Sequence, residues 1–310
     1  MTERPQVIAI VGPTASGKSS LAERVAVSLG TWVVSVDSMQ VYRGMDIGTA
    51  KEKPADERCR LLMVDVVDVT SDYSVSLFQR DARACVDGLL SKRGVAVLCG
   101  GTGLYLDAVI DETSYPSGKV GDDARSGYER FAREHGAEAL HELLQGRDAA
   151  AAALIHPNNV RRVVRALEMT DRGISYASQN ATLKQHDPHY STQIWGIRME
   201  RVRLYRRIDE RVDIMFAKGL VDEVRALMER GLMESTTASQ AIGYKEVAQY
   251  LQGRCSLGDA IDEVKRRTRR YAKRQLSWLR RDGRTRWIDY DLMSEDEALG
   301  IILDAYEGGC

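Results

Sequence analysis

The eight residues GPTASGKS, Gly12 to Ser19, constrain this chain more than any other stretch of it. They fit G-x-x-x-x-G-K-[ST] in full and stand between a β-branched apolar run, Gln6 to Val11, and a helical pattern, Lys18 to Leu29. Strand, glycine-rich loop and helix in that order gather backbone N–H groups at a helix N-terminus, which is a concave donor set for a diphosphate. Gly12, Thr14, Ala15, Ser16 and Gly17 supply the backbone, Lys18 adds a point charge, and Ser19 offers a hydroxyl ligand to Mg²⁺. The loop alone does not say what the diphosphate is attached to, because nucleotides and other diphosphates present similar oxygens.

Three further apolar runs follow. Thr31 to Val36 ends at Asp37, Leu61 to Val67 contains Asp65, and Gly94 to Leu98 leads into Gly100-Gly101-Thr102-Gly103. Helical stretches such as Ser76 to Leu90 separate them, so the expected fold is α/β, a P-loop parallel sheet with helices on both faces. At the breaker cluster Pro116-Ser117-Gly118 the pattern turns polar and helix-prone. A helical insertion domain is expected over residues 118–188, set in a core of residues 1–117 and 189–310 that ends in helices. Gln193 to Met199 reads as a strand returning to the sheet. Leu204, Ile208, Val212, Met215, Leu220, Val224 and Leu227 predict one long amphipathic helix whose stripe faces the core, and Leu257 to Arg281 predicts another.

In an open parallel sheet the carboxyl ends of strands border the binding crevice, which puts Asp37 near the phosphate loop. A carboxylate there has three possible uses: ligating Mg²⁺ through water, accepting a proton from a nucleophile, or capping the next turn. The Gly100 to Gly103 tip has small residues and one hydroxyl, which leaves space for a bulky substrate. Asp65 is the best substitute for a Walker B acid, although Val66-Val67-Asp68 continue past it.

Bulk charge gives no hint of nucleic acid: 44 Lys+Arg against 45 Asp+Glu leave a net charge of −1. Local charge does. Lys265 to Arg286 holds eleven basic residues against the single acid Asp282, with Tyr271 and Trp278 interleaved for stacking. Arg266, Arg270, Lys273 and Arg274 are the candidate contacts there, and smaller groups occur at Arg161, Arg162 and Arg165 and at Arg203, Arg206, Arg207 and Arg211. Individual arginines have an alternative in ion pairs with Glu168, Asp209 or Glu210 at helical spacing. Five scattered cysteines without C-x-x-C spacing and the lack of an export signal or apolar span lead to the expectation of a cytoplasmic protein away from membranes. His186 and His189 flank Asp187-Pro188 and read as a surface turn, not as metal ligands.

Six blocks, GPTASGKS at Gly12 to Ser19, DSMQVYRGMDIGTAK at Asp37 to Lys51, GGTGLY at Gly100 to Tyr105, HPNNVRRVVRALE at His156 to Glu168, AIGYKE at Ala241 to Glu246 and RYAKRQLSWLR at Arg270 to Arg280, run in one order across nearly the whole chain. Together they resemble the tRNA dimethylallyltransferase family in its bacterial form, with mild departures at Val160, Val163 and Val164. The resemblance implies transfer of a dimethylallyl group from dimethylallyl diphosphate to N6 of the adenosine just 3′ of the anticodon, with Mg²⁺. It implies that Asp37 is the general base, that Thr102 supports it, and that Asp37, Ser38, Met39, Gln40 and Thr102 meet the flipped base. It further implies that Arg207 or Arg211 assists the diphosphate and that Arg125, Arg161, Arg162 and Arg165 meet the tRNA anticodon stem-loop. A monomer is expected. Two other classes compete on the phosphate loop alone. A small-molecule or nucleoside kinase would not need the basic segment, and an RNA-binding ATPase would need a clearer Walker B acid.

Overall fold

The computed structural model describes residues 5–115 and 123–308, which form two compact units, Met1–Ile110 with Pro188–Cys310, and Asp111–Asp187. The breaker cluster at residues 116–118, and with it the expected boundary between 117 and 118, lies outside the described residues. In the first unit the chain runs through β1 (Val7–Val11), α1 (Lys18–Ser28), β2 (Val33–Val36), β3 (Leu61–Leu62), α2 (Val75–Arg93), β4 (Ala96–Gly100) and α3 (Gly103–Ile110). The second unit holds α4 (Asp123–Arg147), interrupted at Gly136, then α5 (Ala149–Leu154), α6 (Val160–Asp171) and α7 (Tyr176–Thr182). The chain returns through β5 (Thr192–Arg198), α8 (Arg201–Ala217), α9 (Leu220–Glu229), α10 (Tyr244–Leu251), α11 (Leu257–Leu279), β6 (Thr285–Asp289) and α12 (Glu295–Glu307).

The six strands pair in parallel in the order β3-β2-β4-β1-β5-β6. β1 is central and buried on both faces, and its side chains alternate between two cores as a pleated strand requires. Val7, Ala9 and Val11 pack in the cluster that includes Phe78 of α2 and Val109 of α3, whereas Ile8 and Ile10 pack with Leu21 and Val25 of α1 and Ile302 of α12. Helices therefore cover both faces, and the tips of β1, β2 and β4 carry the phosphate loop, Asp37 and the Gly100 to Gly103 turn. The second unit is helical, with Leu140, Leu144, Val163 and Leu167 fully buried in its core. No helix among the described residues is long and apolar enough to cross a membrane.

Four expectations need correction. The run Leu61 to Val67 forms only a two-residue strand, because the chain turns away at Met63 (φ +60°) and Asp65 (φ +54°) and the N–H groups of Asp65 and Val66 bond Gln40 O and Val41 O. The single helix expected over 204–227 is two, α8 and α9, broken at Gly219, where φ is +99°. Leu204 and Ile208 pack with Ala15 and Ala272, while Leu220, Val224 and Leu227 join the main core, so the break lets one stripe serve two cores. β6 and α12 were not foreseen. Arg284 and Arg286 hide a strand that buries Thr285 and Ile288 at the sheet edge. His186 is not a simple surface residue either, since its Nδ1 lies 2.9 Å from Oδ2 of the buried Asp111.

Candidate active site

The phosphate loop leaves β1 at Gly12 and enters α1 at Lys18. Ala15 (φ +64°) and Gly17 (φ +94°) take left-handed backbone, which curls the loop. Lys18 Nζ donates to Pro13 O at 3.2 Å and folds over that curl. Burial holds its ammonium below the ordinary lysine range; the neighbouring Cys99 and Asp37 oppose that shift and Arg211 adds to it. Two arginines of α8 reach the loop: Arg207 Nε donates to Ala15 O at 2.8 Å, and Arg211 Nη1 lies 3.4 Å from Thr14 Oγ1. Burial lowers the Arg211 guanidinium as well, so an anion arriving between Lys18 and Arg211 would relieve two desolvated cations.

Asp37 follows β2 directly. Its Oδ1 accepts from Met39 N at 2.8 Å, so the turn-capping role is real, and among the described residues no hydrogen bond engages Oδ2. Gln40 is held within its own loop: Oε1 accepts from Ser35 Oγ at 2.7 Å and Nε2 donates to Thr49 O at 3.2 Å. Its amide is therefore tied to that loop, and Ser38, Met39 and Gln40 all sit half-buried beside Asp37. Asp65 is not among the residues that line the cavity beside Asp37. Its Oδ1 accepts from Lys51 Nζ at 2.7 Å, a structural pairing.

Thr102 precedes α3 and accepts the N–H of Tyr105 and Leu106 through its carbonyl. Its Oγ1 lies 3.3 Å from Tyr271 Oη, whose phenol burial pushes up to about 12, with the charge of Asp37 adding to the shift. Tyr271, Gln275 and Trp278 recur at i, i+4 and i+7 on the inward face of α11. Gln275 Oε1 accepts Thr14 N at 2.9 Å and its Nε2 donates to Gly101 O at 3.0 Å, so one buried amide ties the phosphate loop to the β4 tip. The close approach at Gly101 favours glycine, because a Cβ would lie 2.8 Å from Gly12 O as well as 2.2 Å from Gln275 Nε2. Trp278 Nε1 reaches Asp107 at 3.2 Å.

Many of these groups border one cavity of about 820 Å³. Its lining includes Thr14, Ala15, Gly17, Lys18 and Ser19 from the loop, Asp37 to Gln40, and Arg207 and Arg211. Tyr271, Arg274 and Gln275 of α11 line it too, as does Cys99, whose thiol is pushed up by burial. Gly12, Ser16 and Thr102 stand behind this surface. Gln275 and Cys99 were missed in the sequence, and Tyr271 was read there only as a stacking residue of the basic segment; the i, i+4, i+7 recurrence of Tyr271, Gln275 and Trp278 was the available signal.

The basic segment divides by partner. Lys265 pairs with Asp213 (2.6 Å), Arg266 with Glu263 (2.6 Å), Arg269 with Asp209 (2.7 Å), and Arg267 with the buried Glu246. Arg270, Lys273 and Arg274 are exposed at i, i+3 and i+4 and, among the described residues, have no carboxylate partner. In the second unit Arg125 and Arg165 share the buried carboxylate of Glu168, at 3.4 and 3.8 Å, whereas Arg161 and Arg162 are exposed.

The IPP transferase family model matches residues 40–282, and the isopentenyl transferase model matches residues 5–62. The tRNA dimethylallyltransferase of Carboxydothermus hydrogenoformans is 44% identical over 92% of this chain and 92% of the relative. That of Geobacillus thermodenitrificans is 45% identical over 97% of this chain and 94% of the relative. Among solved structures, the tRNA isopentenylpyrophosphate transferase of Bacillus halodurans is 40% identical, covers 98% of both chains and superposes with a TM-score of 0.70. A eukaryotic dimethylallyltransferase captured acting on tRNA is 26% identical, covers 98% of this chain and 80% of its own, and gives a TM-score of 0.79. With the family matched over most of its length and the loop, the Asp37 turn and the GGTG tip brought to one cavity, this chain belongs to the tRNA dimethylallyltransferase family of prenyl-transferring enzymes.

Proposed function

We propose that this chain transfers a dimethylallyl group from dimethylallyl diphosphate to the exocyclic N6 of the adenosine immediately 3′ of the anticodon in tRNA. The observation that carries the reading is the one cavity lined by Lys18 and Arg211 together with Asp37 and Tyr271. The N6 lone pair attacks the allylic carbon, the carbon–oxygen bond to the diphosphate breaks, and the leaving diphosphate takes the bonding pair. An adenine amine is a weak nucleophile until it begins to lose its proton, and Asp37 accepts that proton through the oxygen not committed to Met39. Such general-base assistance is worth roughly 10²–10⁴ in rate. Loop N–H groups, Lys18, Arg207 and Arg211 hold the diphosphate as its negative charge grows.

The Ser19 hydroxyl, which lines the cavity together with the Asp37 carboxylate, offers an oxygen ligand suited to a hard divalent cation. Mg²⁺ held by Ser19 would neutralise part of the charge on the diphosphate. Thr102 and Tyr271 fix the hydrogen-bonding surface beside the base, and Ser38 and Met39 contact it. The base must leave its stack, which costs a few kcal/mol; phosphate contacts from Arg270, Lys273 and Arg274, with Arg266, Arg161 and Arg162, offset that cost. Arg125 and Arg165 shape the same surface of the second unit through Glu168. The protein acts as a monomer in the cytoplasm.

The test uses purified protein, Mg²⁺, dimethylallyl diphosphate labelled in the prenyl group, and unmodified tRNA. Label appearing in the nucleoside next to the anticodon is the expected result. Consumption of ATP with phosphorylation of a small acceptor, and no label in tRNA, would favour a kinase.

A further inference from the structure

Asp46, Ile47 and Gly48 aim three consecutive backbone N–H groups at one carboxylate. Glu223, in the first turn of α9, accepts Asp46 N at 3.1 Å and Ile47 N at 2.7 Å through Oε2, and Gly48 N at 3.2 Å through Oε1. Oε1 also accepts the phenol of Tyr244 at 2.6 Å. Burial, reinforced by that carboxylate, pushes the Tyr244 phenol far above its ordinary value, so it stays a donor. Four donors on two oxygens saturate the carboxylate, and bonds of this charge-assisted kind are roughly twice as strong as neutral ones. The Tyr244 ring also covers Gly48 so closely that a Cβ there would lie 2.4 Å from it.

From this anchor the bonds run into the cavity. Thr49 O holds the amide of Gln40, and Gln40 in turn holds Ser35 at the end of β2. Lys51 Nζ fastens the far end of the segment to Tyr42 O at 2.9 Å and to Asp46 at 2.7 Å. Gly48, Thr49 and Ala50 line the same cavity as Asp37, whereas Glu223 does not line it. The phosphate loop is held by other means, through Gln275 and Arg207.

We infer that Glu223 is a positioning residue for the acceptor: it fixes the 46–50 segment, and through Gln40 the Asp37 turn, where the RNA base is received, and leaves the diphosphate side untouched. The inference rests on the reading given under Proposed function.

Glu223→Gln keeps the side-chain shape but sets an amide N–H₂ against backbone donors. In steady-state transfer from dimethylallyl diphosphate to an anticodon stem-loop RNA, its KM for RNA should rise about tenfold, the size of one unsatisfied polar group. KM for the diphosphate should stay within about twofold, and Glu223→Asp, which keeps the charge, should recover part of the loss. Unchanged KM for RNA, or a fall in kcat that merely follows the folded fraction seen by circular dichroism, overturns the inference. So does a rise confined to the diphosphate. Should Glu223→Gln fail to fold, Tyr244→Phe removes one of the four donors and should raise KM for RNA about threefold; no change overturns the inference equally. Wild-type protein runs in the same assay. If it labels no RNA, the proposed function fails; if it labels RNA and the variants match it, only the role of Glu223 fails.

Discussion

Asp37 commits one oxygen to structure, and under the proposed function the other serves the chemistry. Oδ1 holds the turn through Met39 N, which fixes the carboxylate before any substrate arrives. Asp37→Asn preserves that acceptor and removes the base, so kcat should fall by roughly 10²–10⁴ while KM for dimethylallyl diphosphate changes little; full activity in the variant would remove Asp37 from its role. Lys18 gives a second expectation. Its pKa is depressed from the ordinary 10.5, mainly by burial. The folded protein binds this proton less tightly than the unfolded chain, so folding is penalised at pH below the folded value, and the penalty lifts as the pH climbs toward 10.5. Diphosphate capture runs the other way, because it needs the charged form. The alkaline limb of kcat/KM for dimethylallyl diphosphate should therefore fall below the pH at which an exposed lysine titrates, and Lys18→Arg should move that limb upward. Superimposable limbs for wild type and variant would contradict this assignment.

Among the elements, α11 does two jobs on two faces. Its inner face, Tyr271, Gln275 and Trp278, joins the phosphate loop to the β4 tip, its outer face carries Arg270 and Lys273, and Arg274 is exposed yet lines the cavity. Replacing Arg270 and Lys273 with Gln should weaken tRNA binding and reduce the slope of log K against log salt by roughly 1.5, at about 0.7–0.9 per phosphate contact. KM for the diphosphate should hold. An unchanged slope measured by titration would exclude this face as a phosphate contact. Arg267 makes a poor probe of the same question, since losing it would strand the buried Glu246 and report on folding. The hinge between α8 and α9 predicts a stability effect alone: Gly219→Ala, at φ +99°, should lower stability by about 1–2 kcal/mol in urea unfolding. No loss would mean that the break does not depend on glycine.

Across the whole molecule, the parts legible in the sequence are those fixed by neighbours in the chain. The phosphate loop needs only its own glycines, lysine and flanking periodicities, and Asp37 needs only the end of an apolar run. Contacts between distant segments left no such mark: Gln275 meets Thr14 across 261 positions, Tyr271 meets Thr102 across 169, and Glu223 meets Gly48 across 175. β6 was hidden because an edge strand buries only some of its residues, and the charges of Arg284 and Arg286 dominate its pattern. The long helix was misread because two stripes facing different cores continue in near-helical register across Gly219. What the assembled molecule adds is the meaning of the loop, which shares one cavity with Asp37 and Tyr271 as well as with Arg211. In that setting the loop should retain a leaving group and transfer no phosphoryl. The most direct measurement follows phosphorus and prenyl label together during turnover with tRNA. Intact inorganic diphosphate released in equal amount to prenylated adenosine is the expected result; orthophosphate, or a phosphorylated acceptor with no prenyl group on the RNA, would contradict it.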